Sequence, residues 1–200
     1  MPKALSDIER NYIKNRLREE ARESMIRHGI KKTTVDDIVR RVGIPKGTFY
    51  LFYESKELLL FDVFCALHDE YQAKIISEIR SIQGEINADN LTDVIFTLYK
   101  LMDHSEIARL MTGGEIEMLF RKLPPEISKR HAEQDDFRVE ELVSMVPNIS
   151  ADNIEVFSAA LRGVFLSILY KREVGEAVFD DALRIMVRGV VIQMFKGEQI

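Results

Sequence analysis

Lys46, Gly47 and Thr48 stand together behind Pro45 and ahead of the aromatic run from Phe49 to Tyr53. A cation, a residue without a side chain and a small hydroxyl at a helix start can approach a groove of nucleic acid closely, because little bulk obstructs them. Signals for reaction chemistry are fewer. Cys65 and His68 lie three apart on one helical face, but no third ligand follows at metal spacing. Neither a G-x-S-x-G elbow nor a phosphate loop occurs. A structural thiol beside a surface histidine is the plainer reading, and Glu115 and Glu117, though able to favour a cation, read as solvated. The chain is therefore expected to be no enzyme and to need no metal or cofactor.

Two short helices must present the Lys46–Thr48 segment. Thr34 with Asp37 three residues on is close to a capping box, so a helix is expected to begin there, followed by Ile38, Val39 and Val42 at helical spacing. Gly43 stops it, because a chain reversing at a helix end needs a residue that accepts positive φ cheaply. Ile44 then packs inward, and Pro45 opens a second helix, about 45–52, where its missing N–H costs nothing. Ser55 caps a third helix running from Lys56. Two short helices joined by a tight glycine turn make a helix-turn-helix, whose second helix enters the DNA major groove by its N-terminal residues.

Over about twenty-five residues the run resembles the DNA-binding domain of the TetR/AcrR family of bacterial regulators, with the pattern T-x-x-x-I-A-x-x-x-G-V-S-x-G-T-x-Y-x-x-F-x-S-K-E-x-L. Thr34, Ile38, Gly43, Gly47, Thr48, Tyr50, Ser55, Lys56, Glu57 and Leu59 fall on or beside those positions. Three positions depart: Pro45 replaces a Ser cap, Phe52 stands where His or Tyr is frequent, and Tyr53 takes a core Phe position. The resemblance implies that Thr34 and Lys56 contact phosphates, that Tyr50 donates its hydroxyl to one, and that Lys46, Gly47 and Thr48 meet base edges or adjacent phosphates. Aromatic core filling is the plain alternative for Tyr50 and, more so, for Tyr53.

The net charge of −5 divides unevenly: residues 1–60 hold 13 Lys and Arg against 9 Asp and Glu, and the remainder 15 against 24. The electropositive part is the part that carries the motif, as attraction to phosphate requires. A 46% hydrophobic composition over 200 residues supplies a sizeable core. One cysteine, Cys65, allows no internal disulfide. The charged first twenty residues and the absence of eighteen consecutive apolar ones point to a cytoplasmic protein without membrane contact.

The chain reads as all-α, with about nine helices and no strand. Residues 1–54 form a three-helix DNA-binding domain (helix-turn-helix about 34–53), and residues 55–200 a larger helical effector-binding and dimerisation domain. The first helix is expected to run to His28, with Ile13, Leu17, Ala21 and Met25 on one face and Gly29 as its stop. A long helix from Ser55 to about Ile82 follows, roughly 40 Å in length. Helices are then expected over about 91–103, 105–111, 115–122, 126–146, 152–172 and 177–195. The last two carry interior glycines, Gly163 and Gly189, which close helix–helix approach would compensate.

Phe64, His68, Tyr71, Tyr99, Met102, Met111, Met118, Phe120 and Phe137 are candidates for a cavity accepting a variable apolar effector, though each also suits an ordinary core. The resemblance places the last two helices across a dimer axis, with Phe157, Leu161, Val164, Phe165, Ile168, Met186, Val190 and Met194 as candidate interface residues. The expectation is a homodimeric regulator, a repressor more than an activator, on a palindromic operator of double-stranded DNA. A constitutive all-helical DNA-binding or interaction protein without effector is the alternative.

Overall fold

The computed structural model describes residues 5–103, 105–111, 114–127, 129–130 and 154–196. All regular structure among them is helical: α1 (Asp7–Lys32), α2 (Val35–Val42), α3 (Lys46–Phe49), α4 (Lys56–Arg80), α5 (Ala88–Asp103), α6 (Glu106–Met111), α7 (Glu115–Phe120), α8 (Ile154–Leu169), α9 (Lys171–Gly175) and α10 (Phe179–Lys196). The helix expected over 126–146 lies almost wholly outside the described residues. No described helix is long and apolar enough to cross a membrane.

The chain forms two compact units, Met1–His68 with Arg109–Ser128, and Asp69–Ala108 with Lys129–Ile200. Helix α4 contributes its first half to one and its second half to the other.

In the first unit, Leu17, Ala21 and Met25 of α1, Ile38 and Val39 of α2, Phe49 of α3 and Leu59, Leu60 and Val63 of α4 are all buried. Ser6 begins α1 with a complete capping box, its hydroxyl taking the Glu9 N–H at 3.3 Å while Glu9 takes the Ser6 N–H at 2.8 Å. Gly29 does interrupt α1, at φ 81° and ψ 170°, but a last helical turn follows it instead of a stop. That turn is held from outside. Glu115 of α7 accepts the Ile30 N–H at 2.5 Å, and Thr33 donates its hydroxyl to the Gly29 carbonyl at 2.7 Å.

The second unit packs α5, α8 and α10 around Leu91, Ile95, Tyr99, Val164, Ile168, Leu183, Val187 and Val191, with Ile79 of α4 and Phe179. Antiparallel α5 and α10 are also laced by charge. Asp89 pairs with Arg188, Asp93 with Arg184, and Lys100 with Asp180 at 2.6 Å, so one helix descends as the other climbs. Each exposed pair contributes little alone, about 0–1 kcal/mol, but the ladder fixes one register.

One helix expected to run from 152 to 172 ends earlier. It breaks at Tyr170, and the separate turn of α9 and a 3-10 turn (Glu176–Val178) intervene before α10. Gly175, at φ 124° and ψ 90°, provides the bend between them.

Candidate nucleic-acid interface

The segment 33–56 builds the arrangement that its residues foretell. Thr34 caps α2, taking the Asp37 N–H at 3.2 Å and donating its hydroxyl to the Asp37 carboxylate at 2.7 Å. Gly43 closes α2 in the left-handed region (φ 77°, ψ 33°), with the N–H groups of Gly43 and Ile44 both returning to the Val39 carbonyl. Pro45 is the N-cap of α3, one residue before the helix proper, and makes no side-chain cap bond. Past Phe49 the winding continues: the Leu51 N–H reaches Thr48 O at 3.1 Å, and the N–H groups of Phe52 and Tyr53 reach Phe49 O. Ser55 accepts the Leu58 N–H at 3.2 Å and so starts α4.

This winding separates two faces. Phe49 and Tyr53 are buried, whereas Lys46, Gly47, Tyr50, Leu51 and Glu54 are exposed and Thr48 half-exposed. Tyr50 is 51% exposed, its ring edge-on to Phe49, so its hydroxyl is free to face a partner. Lys46 is held at 2.9 Å from Asp36, whose hydrogen bond and charge push the ammonium pKa up. Both groups are largely exposed, so exchanging that carboxylate for a phosphate costs little.

Three groups pin the face to its support. Asp62 of α4 accepts from Arg18 of α1 through the Nε and Nη2 of one guanidinium edge and from the Tyr53 hydroxyl at 2.5 Å. Burial and the bond to Asp62 push the Tyr53 phenol well up, so it remains a donor. Burial works against the Asp62 carboxylate, but the bonds from Arg18 and Tyr53 outweigh it and hold its pKa below the ordinary value. Phe52 lies under the Arg10 guanidinium, 5.4 Å from its carbon. Lys56, expected on a phosphate, donates to Thr33 O at 2.9 Å and Ile30 O at 3.4 Å, where it neutralises the carbonyl end of α1. Leu51, Arg18 and Asp62 were not legible as parts of this site. Counting the helical turn on from Lys46 through Tyr50 was the one signal that marks Leu51.

The cavity candidates fall into both units. In the first, Phe64, His68 and Phe120 come together: His68 stacks parallel to Phe64 at 6.1 Å, and Phe120 meets Phe64 and Phe61 edge-on at 5.7 and 5.4 Å. Met118 of α7 is half-buried in that unit. In the second, Tyr71 donates to Leu98 O at 2.7 Å and Tyr99 to Leu161 O at 2.9 Å, and burial pushes both phenols up. Met102 is buried there. The Met111 side chain and Phe137 lie outside the described residues. Among those residues no group of three or more His, Cys, Asp or Glu side chains is placed to hold a metal ion.

Of the candidate interface residues, Phe157, Val164, Ile168 and Met194 are buried in the chain's own core, and Leu161, Phe165, Met186 and Val190 are half-buried. Each helix leaves a neighbouring stripe outside. On α8 it runs Val156, Ala159, Gly163, Leu166, with Tyr170 just past its end, and on α10 Ile185 and Gly189, with Ile185 72% exposed. Among the described residues, and apart from each glycine's own helix backbone and chain neighbours, nothing lies within 4 Å of a Cβ built on Gly163 or Gly189.

A buried three-helix support holding a bare second helix is a helix-turn-helix DNA-binding module. Residues 17–63 match the family model for bacterial regulatory proteins of the tetR family. Residues 17–63 therefore carry a TetR-family DNA-binding domain, and that match supports a DNA-binding transcriptional regulator of the TetR/AcrR type. Solved structures share its fold. The TetR-family repressor AlkX from Dietzia sp. strain DQ12-45-1b, implicated in biodegradation of n-alkanes, superposes with a TM-score of 0.62 at 12% identity, over 93% of this chain and 97% of that one. A TetR-family regulator from Marinobacter aquaeolei VT8 gives 0.56 at 17%, over 92% and 98%. The regulator FadR from Bacillus subtilis, in complex with stearoyl-CoA, gives 0.55 at 17%, over 94% and 100%. No curated protein sequence matches the chain.

Proposed function

We propose that the chain is a homodimeric repressor that reads a palindromic operator with α3 and leaves it when a small, largely apolar effector binds. The supporting observation is the exposed face of α3. Lys46, Gly47 and Tyr50 lie outward while Phe49 and Tyr53 anchor the same turns from behind. Lys46 meets a base edge or phosphate, Gly47 and Thr48 let the backbone approach, and Tyr50 donates to a phosphate. Thr34, at the N-terminus of α2, adds a phosphate contact through its cap. Lys56 serves by fixing the joint between α1 and α2.

Residues 1–54 then do the reading, and residues 55–200 carry effector binding and dimerisation. Two copies pair through the outward stripes of α8 and α10, whose open glycines admit a close second helix. Two recognition helices about 34–36 Å apart fit successive major grooves on one duplex face. The effector is apolar and chain-like in this reading. FadR of Bacillus subtilis, with the same fold, holds stearoyl-CoA, and AlkX is linked to n-alkanes. Phe64, His68 and Phe120 provide an aromatic wall within the first unit; Tyr71, Tyr99 and Met102 are separate candidates within the second.

Selection of bound duplexes from a random pool tests this, repeated with long-chain acyl-CoA and alkanes present. Enrichment of an inverted repeat, lost when an acyl chain is added, is expected. Enrichment of an operator that no acyl or alkyl compound releases removes the effector and leaves a constitutive regulator.

A further inference from the structure

A singly exposed leucine is ordinary, since more than half of any protein surface is apolar. Leu51 differs in its company. It is 62% exposed on the same turns as Lys46, Gly47 and Tyr50, and the backbone bond from its N–H to Thr48 O holds it in helical register with them. Its neighbour Phe52 is half-buried beneath Arg10, so between Lys46 and Glu54 Leu51 is the aliphatic side chain that this outward face offers, beside the Tyr50 ring. The floor of the major groove is lined by hydrogen-bonding edges, and the one apolar group it presents is the thymine C5 methyl.

We propose that Leu51 packs against a thymine methyl in each operator half-site and so makes that base pair a determinant of specificity. Lys46 and Tyr50 supply charge and hydroxyl contacts that tolerate several sequences. Leu51 adds a contact that a cytosine or a purine in the same place does not return. This rests on the reading of α3 as the recognition helix.

The test replaces each dT of a selected operator by deoxyuridine, one symmetric pair at a time, which removes the methyl and leaves every hydrogen-bonding edge intact. Wild-type protein should lose about four-fold in affinity per half-site at one position, roughly fifteen-fold for both, as burial of one methyl implies. Leu51→Ala, unchanged in its urea midpoint because the side chain supports no core, should bind thymine and uracil operators equally at that position. Methyl-insensitive binding at every position, or a methyl effect that persists in Leu51→Ala, overturns the assignment while the regulator reading stands. Failure of the pool to yield any operator overturns both.

Discussion

Gly29 and Glu115 allow a sharp energetic test of how the DNA-reading unit is assembled. Gly29 sits at φ 81° and ψ 170°, a region open essentially to glycine, so Gly29→Ala carries a backbone cost of about 1–3 kcal/mol. A Cβ there also falls 2.7 Å from the Glu115 Oε2 that accepts the Ile30 N–H. Glu115 must swing aside, and a hydrogen bond to a charged group, worth about 1.5 kcal/mol for a half-exposed carboxylate, goes with it. The sum is about 2.5–4.5 kcal/mol against a whole stability of about 5–15 kcal/mol. Glu115→Ala alone should cost about 1.5 kcal/mol, and in that background Gly29→Ala should cost only its backbone share. Urea unfolding of the four proteins should therefore return a coupling of about 1.5 kcal/mol. Gly43→Ala is the control. Its φ is 77° with nothing among the described residues, its chain neighbours aside, within 4 Å of a built Cβ, so about 1 kcal/mol is expected in either background. Strict additivity of Gly29→Ala and Glu115→Ala would refute the idea that α7 holds the end of α1.

Other outcomes follow from the same geometry. The Asp62 carboxylate has a lowered pKa, so its contribution is complete above the ordinary carboxylate range, near pH 4, and is lost as pH falls through the lower folded value. Asp62→Asn should cost about 1–2 kcal/mol at pH 7, and the gap to wild type in urea midpoint should narrow between pH 5 and pH 3; a gap independent of pH would exclude the carboxylate. Ile185→Asp, at a 72% exposed position, should leave the fold intact but weaken dimers a hundred-fold or more in sedimentation, because it buries an unpaired charge at the proposed interface. Phe157→Asp should instead unfold the second unit, and a dimer undisturbed by Ile185→Asp would move the interface elsewhere.

What the sequence disclosed was mostly local. The Thr34 cap, the Gly43 reversal and the Ser55 start of α4 depend on residues within a turn of each other, and all three form. Pairings distant in the chain left no such mark. Arg18 with Asp62, Glu115 with the Ile30 N–H and Lys56 with the Thr33 carbonyl join residues whose meeting is decided by packing; in sequence Arg18 and Glu115 look like solvated charges and Lys56 like a phosphate contact. The break at Tyr170–Val178 was hidden because helices of one turn have no period to read. The wide apolar stripes of α8 and α10 predict two buried faces without saying which is which. Phe157 and Val164 turn inward, and Val156, Leu166 and Ile185 stay exposed.

The outward face of α3 is the central claim, and a band-shift titration on the selected operator tests it most directly. Lys46→Ala with Tyr50→Phe removes one cation and one hydroxyl from that face without touching the buried Phe49 and Tyr53. Loss of the two contacts should weaken binding roughly ten- to hundred-fold, with a shallower dependence on salt concentration than wild type. An affinity and salt slope identical to wild type would mean that DNA meets some other surface of the molecule.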